Sequence, residues 1–311
     1  MKVYRSLEEL PQIKNAIVTQ GTYDGVHAAH KVILDRVKQI AKEKNGETVV
    51  MTFDPHPRMV LFPDDHGLRL LNTLDEKIAA LEQEGIDHLL IIPFTKEFSR
   101  LTSLQFIRDI IVNKIGTKVL VIGYNHRFGK NREGSFEHLK EYSGLYGFDV
   151  EEIPEQDIDE IAVSSTRIRK ALEEGDVLLA AKYLGKPYTI TGLVTKGKQL
   201  GRTIGFPTAN IKVEDPNKLI PANGVYAVKV FINTRTFNGM LNSGVRPTVD
   251  GLTHTIEVHL FDFNEDIYDQ TIKVAFVDKL RDEKKFDGLD ALTNQLQKDK
   301  LHALDILPGI A

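Results

Sequence analysis

Apolar residues in the first half of the chain come in short runs separated by amphipathic stretches. Residues 16–20, 48–53, 88–93 and 118–123 are rich in Val, Ile and Leu, and most end near turn residues. Each run predicts a buried strand. Between the runs the period lengthens. Ile33, Val37, Ile40 and Ala41 share one helical face after His30. Thr73-Leu-Asp-Glu76 and Thr102-Ser-Leu-Gln105 have capping-box spacing, and each predicts the start of a helix. Alternation of strand and helix predicts a parallel sheet covered on both faces. Ligands of such sheets bind beyond the carboxyl ends of the strands. Here those ends lie after Gln20, Phe53 and Ile122.

The pattern changes near residue 185. Residues 177–184 read as a helix that stops at Gly185, with Pro187 beyond it. Short strands are then predicted at 189–195, 224–231, 237–243, 255–261 and 272–277, among Gly- and Pro-rich turns. No clear helix intervenes until Leu289, Leu292 and Leu296 mark one near the end. The expected fold class is α/β plus β: an α/β domain over residues 1–185, then an antiparallel barrel or sandwich with a terminal helix over residues 186–311.

Composition narrows the chemistry. At 311 residues the chain is long for one ordinary domain and comfortable for two. Its formal net charge of −4 gives the whole chain no electrostatic match to nucleic acid. There is no cysteine, which excludes disulfides, thiolate metal sites and a thiol nucleophile. That suits a reducing compartment. Residues 1–11 are polar and lack the apolar core of a signal peptide. No apolar run approaches the ~20 residues of a membrane-crossing helix. A cytoplasmic protein with no membrane or nucleic-acid partner is expected.

Three stretches carry candidate chemistry. Residues 21–30, GTYDGVHAAH, follow a predicted strand and open a helix. A helix N-terminus with free N–H groups and partial positive charge can hold phosphate. Gly21 and Gly25 permit close backbone approach, and Asp24 stands between them. His27 and His30 share a face of the first turn, where they could donate to a triphosphate or ligate a metal. Residues 163–169, VSSTRIR, place Ser164 or Ser165 as a helix cap, with Arg167 and Arg169 projecting from the helix start. Cations there oppose the dipole unless an anion binds. Residues 196–210, KGKQLGRTIGFPTAN, combine glycines and basic residues in a loop that can cradle phosphates. Gly201, Arg202, Gly205 and Pro207 belong to it. It is not a Walker A loop. Thr208 and Asn210 are two residues apart, so on an extended segment they face one side. Two neutral oxygens so placed suit Mg2+. A basic hairpin loop without function is the plain alternative.

The first two stretches resemble the H-x-G-H and S-S-T-x-I-R signatures of the nucleotidylyltransferase superfamily. TFDPHP at 52–57 and GYNHRFG at 123–129, followed by Arg132 and Gly134, narrow the likeness. GRTIGFPTANI at 201–211 resembles the riboflavin kinase signature. PANGVY at 221–226, NSGVRPT at 242–248, EVHLFD at 257–262 and LRDEKKF at 280–286 follow in that family's order. The chain therefore resembles the prokaryotic bifunctional riboflavin kinase/FAD synthetases.

The resemblance implies a Rossmann-like nucleotidylyltransferase domain and a six-stranded flavokinase barrel. It implies ATP, riboflavin, FMN and FAD as substrates or products, with Mg2+ as cofactor. In the first domain His27 and His30 would hold the ATP phosphates in the loop of Gly21, Asp24 and Gly25. Ser164 and Arg167 would stabilise the leaving pyrophosphate, with Ser165 a further binding residue. Asn125 would lie at the point of attack, and the loop of Asp54 and His56 would line the substrate pocket. In the second domain Glu257 would be the general base, Thr208 and Asn210 would hold Mg2+, and Arg281 and Phe286 would lie near the flavin. Strand alternation puts Glu257 on the face opposite Ile256 and Val258, toward either solvent or a cleft. Two positions depart from the pattern. Ala29 replaces a glycine, and Asn125 stands where some members carry Asp. The alternative is that only the kinase module acts and the other is a weakened nucleotide-binding domain.

Overall fold

The computed structural model describes residues 1–64, 67–124, 126–155, 163–197, 200–248 and 251–307. They form two compact units, Met1–Ser165 and Thr166–Ala311.

In the first unit β1 (Lys2–Tyr4), β2 (Ala16–Gln20), β3 (Thr48–Asp54), β4 (His88–Pro93), β5 (Thr117–Gly123) and β6 (Asp149–Ile153) form one sheet in the order β1-β4-β3-β2-β5-β6. All its pairings are parallel. The helices are α1 (Ala28–Lys44), α2 (Pro57–Leu61), α3 (Leu74–Gln83), α4 (Ser103–Gln105), continued by π-wound Phe106–Lys114, and α5 (Phe136–Tyr146). Neighbouring strand residues serve opposite faces. Val50 packs with Leu34 and Leu81 of α1 and α3, whereas Met51 packs with Ile107 and Leu139 on the other side. Burial on both faces explains why these strands read as continuous apolar runs. Both capping boxes form: Thr73 exchanges bonds of 3.0 and 3.3 Å with Glu76, and Thr102 of 2.9 and 3.2 Å with Gln105. The strand order reverses between β2 and β5, and a ligand crevice is expected at that point.

The edge strands β1 and β6 escape the hydrophobic pattern. The former has three residues, and the latter, DVEEI, keeps polar side chains half-buried. Glu151 of β6 is paired with Arg36 of α1.

Helices α6 (Ser165–Glu173) and α7 (Val177–Leu184) lead to the second unit's barrel. Its strands are β7 (Thr189–Thr195), β8 (Ala209–Lys212), β9 (Gly224–Ile232), β10 (Arg235–Thr248), β11 (Gly251–Leu260) and β12 (Thr271–Arg281). They close in the order β10-β11-β8-β7-β12-β9, every neighbour antiparallel. The structure is therefore a barrel, not a sandwich. Strand β8, with four residues, is too short for alternation to announce it. Helix α8 (Leu200–Thr203) is a single turn where the pattern shows no helix, and α9 (Leu289–Ile306) follows the barrel. Helix α6 packs within the second unit. Ala222 N–H donates to the Leu172 carbonyl at 2.9 Å, and Gly175 lies against Lys279 and Tyr226.

Candidate active sites

The first site begins where β2 ends. The loop into α1 is fixed from three directions. Gly21 N–H donates to the Met51 carbonyl at 3.0 Å. The Tyr23 and Thr19 hydroxyls bond at 2.8 Å, and burial pushes the Tyr23 hydroxyl up, so it stays protonated. The buried Asp24 carboxylate accepts from Leu71 N–H at 2.9 and 3.1 Å and from Asn72 N–H at 3.1 Å. The Asp24 carbonyl accepts from the Ser165 hydroxyl at 2.9 Å. This bracing holds a strained backbone. Tyr23 and Val26 have φ of 47° and 42°, a left-handed conformation that is costly for a β-branched residue. Gly25, at φ 91°, adopts its turn without that cost.

His27 caps α1, and its carbonyl accepts from Lys31 N–H at 3.1 Å. Its ring stacks on His30 with centroids 3.7 Å apart, as the spacing predicts. Burial, then the charges of His27 and Lys77, push the His30 imidazole well below its usual range, so it is neutral at pH 7. Among the described residues its Nδ1 has no hydrogen-bond partner. The loop thus presents an uncharged imidazole donor at a helix tip. Ala29 is 5% exposed, so its methyl group is packed inside the protein.

Asp54 is exposed at the carboxyl end of β3, and His56 Nδ1 accepts from Arg58 N–H at 3.2 Å at the start of α2. Asn125 lies outside the described residues. His126, after β5, is pushed down to about 4 by burial and then by Arg132. Ser164 precedes α6, and Arg167 is exposed in that helix's first turn.

The second site is a cavity of about 350 Å3 in the barrel unit. The β8–β11 register sets Asn210 opposite Glu257, and the β10–β11 register sets Asn242 on the other side of the same residue. Thr208 Oγ1 donates to Glu257 Oε2 at 3.3 Å. All four residues line the cavity, so Glu257 faces a cleft. Gly201 belongs to the tight turn before β8. Its carbonyl accepts from Phe206 N–H at 2.8 Å, and a Cβ on it would meet the Phe206 carbonyl at 2.1 Å. Arg202 is exposed on α8, and Gly205 and Pro207 complete the turn. The Pro207 carbonyl bonds His259 Nδ1 at 2.8 Å. Burial lowers the His259 pKa, and because a carbonyl can only accept, Nδ1 carries the proton.

Arg281 and Phe286 line the same cavity, with the guanidinium 5.6 Å from the ring centroid. Arg281 is held by Asp299 through Nε at 3.0 Å and Nη2 at 2.7 Å, and Gln295 supports that carboxylate at 2.8 Å. Neither Asp299 nor His259 stood out in the sequence. The signal for Asp299 was present: it falls on the face of Leu292, Leu296 and Ala303, where a lone solvated acid does not belong.

A family model described as FAD synthetase matches residues 10–167, and one described as riboflavin kinase matches residues 184–307. The chain is 40% identical over 301 residues to the bifunctional riboflavin kinase/FMN adenylyltransferase of Haemophilus influenzae, covering 96% of this chain and 97% of that one. The protein of the same name from Bacillus subtilis is 39% identical, over 93% and 92% of the two chains. A crystal structure from Streptococcus pneumoniae described as a macrolide-efflux protein is 33% identical, with TM-score 0.88 over 97% of this chain and 98% of that one. Among the described residues no helix is long and apolar enough to cross a membrane. Both modules are present, which favours two activities over the kinase-only alternative. The chain belongs to the bifunctional riboflavin kinase/FMN adenylyltransferase family: it phosphorylates riboflavin to FMN and transfers an adenylyl group from ATP to FMN, giving FAD.

Proposed function

We propose that each activity has its own residues, with FAD made in residues 1–185 and FMN in residues 186–311. The observation that carries this is the meeting of Thr208, Asn210 and Glu257 in one cavity, remote in sequence from the histidine loop. Riboflavin lies in that cavity with its ring system beside Phe286, Leu292 and Leu296 and its 5′-hydroxyl at Glu257. Glu257 orients the hydroxyl and takes its proton as the new O–P bond forms. Thr208 and Asn210 supply neutral oxygens beside one carboxylate, a donor set that fits Mg2+ shared with nucleotide phosphates. When bound there, Mg2+ supplies positive charge to the phosphoryl oxygens. The turn of Gly201, Arg202, Gly205 and Pro207 receives the phosphates. Asp299 holds Arg281 beside the flavin.

In the first domain His27 and His30 hold the ATP phosphates, with Gly21 and Gly25 allowing backbone approach. The FMN phosphate attacks the α-phosphorus in line, and pyrophosphate departs toward Ser164, Ser165 and Arg167. Asn125 stands at the attacking phosphate, and Asp54 and His56 border the FMN pocket. Asp24 serves by shaping the loop, since its carboxylate accepts backbone N–H groups. The step needs no covalent intermediate; positioning and charge neutralisation carry it. A chain without cysteine suits the cytoplasm. The partners are small molecules, with no nucleic acid and no membrane.

Product chromatography of Glu257→Ala tests the separation. FMN formation from riboflavin falls by about 1,000-fold, while FAD formation from supplied FMN is retained. An equal fall in both, in folded protein, means that the sites are not separate.

A further inference from the structure

Helix α3 carries a lysine on its buried face. Lys77, Ala80 and Leu81 are the buried residues of this helix. Ala80 and Leu81 pack with Tyr23 and Val26 of the nucleotide loop. Lys77 is 6% exposed, and it forms no hydrogen bond or ion pair through its ammonium with any described residue.

The lysine stands close to the adenylyl-transfer site. The start of α3 is fastened to that loop, because Leu71 and Asn72 donate their N–H groups to Asp24. Lys77 sits one turn on, its N–H donating to the Thr73 carbonyl at 2.9 Å. Asp24 and Asp54 favour its charged form, while burial disfavours it. Its charge in turn reaches His30. The groups that sense this cation are thus residues of the nucleotide loop and of the rim of β3.

A buried cation without an ion pair is a burden on the fold, and an apolar side chain of the same length would pack there at lower cost. Asp24 and Asp54 relieve it only in part, since burial outweighs their charges and the Lys77 pKa stays lowered. The missing counterion is best supplied by what the site binds. Beside His30, that is phosphate.

We propose that Lys77 is a phosphate-binding residue of the adenylyl-transfer site, its ammonium meeting a phosphate oxygen of bound ATP or FMN. The proposal rests on the assignment of His27 and His30 to the ATP phosphates.

Lys77→Met in the full chain tests it, with His30→Ala assayed alongside and riboflavin phosphorylation as the internal control. Lys77→Met is expected to lower kcat/KM for FAD formation by about 100-fold, to leave phosphorylation unchanged, and to keep or raise the Tm of the first unit, because a buried charge has been replaced by an apolar chain. A rise in KM for ATP alone, or for FMN alone, identifies whose phosphate Lys77 meets. Adenylyl transfer within about threefold of wild type, with His30→Ala lowered by about 30-fold, overturns the role of Lys77 alone. A loss of activity accompanied by a lowered Tm also overturns it, since the lysine is then structural. If His30→Ala itself keeps adenylyl transfer, the phosphate-site assignment fails and the proposal with it. Should Lys77→Met not fold, Lys77→Gln, which keeps the polar chain without the charge, is judged by the same outcomes.

Discussion

The two sites proposed to receive ATP differ in architecture. In the first unit the binding groups proposed for the histidine loop lie on one continuous stretch, a strained loop running into a helix tip, and the His30 imidazole among them is neutral. In the barrel they are assembled across strands, with Glu257 set against Thr208, 49 residues away. A loop site depends on bracing: remove the partners of Tyr23 or Asp24 and its left-handed backbone loses its reason to persist. A barrel site depends on register: a one-residue slip of β8 would turn Asn210 away from Glu257.

After Glu257→Ala, the next largest expected effect sharpens this contrast on the barrel side. Asn210→Ala should lower riboflavin phosphorylation by about 100-fold and raise the Mg2+ concentration needed for half-maximal rate. A metal titration of initial rates, with FAD formation from FMN unaffected, checks it. On the loop side His30→Ala should lower adenylyl transfer by about 30-fold while phosphorylation continues, which paired assays on one preparation read directly. Asp299→Ala should destabilise the barrel by about 3 kcal/mol, because it leaves the Arg281 charge unpaired in a largely buried position. Urea unfolding followed by circular dichroism measures this, and the KM for riboflavin should rise with it. Gly201→Ala should lower phosphorylation by roughly tenfold and destabilise the barrel by about 1–3 kcal/mol, because the added methyl group meets the Phe206 backbone carbonyl at 2.1 Å.

The smallest effect concerns pH. His126 is held near 4 in the folded chain against an ordinary 6.5. Between these values the unfolded chain takes up a proton that the folded chain refuses. Stability from this group is therefore complete above pH 6.5 and lost progressively as pH falls toward 4. Hydrogen exchange of the first unit at pH 7 and pH 5 should show faster opening at the lower pH, and His126→Gln should reduce the difference.

Much of this was legible along the chain. The inner strands β2 to β5 show as apolar runs because both of their faces are buried. The capping boxes at Thr73 and Thr102 are local chemistry, closed within four residues. The stacking of His27 on His30 follows from helical spacing. What escaped is short, on an edge, or made by distant partners. Strands β1, β6 and β8 are brief or half-exposed, so neither length nor alternation marks them. Asp299 is out of place on an apolar helix face, but its partner Arg281 is 18 residues away and only the fold brings the two together.

The sequence alone determined the local conformations, the succession of an α/β part and a β part, and which residues carry reactive groups. These depend on neighbours a few positions away, where caps, turns and side-chain period act. Only the tertiary structure decided that the second part closes as a barrel, that Glu257 faces a cleft rather than water, and that a lysine lies buried behind the histidine loop. Those outcomes depend on strand register and on packing between segments distant in the chain, which no local pattern encodes.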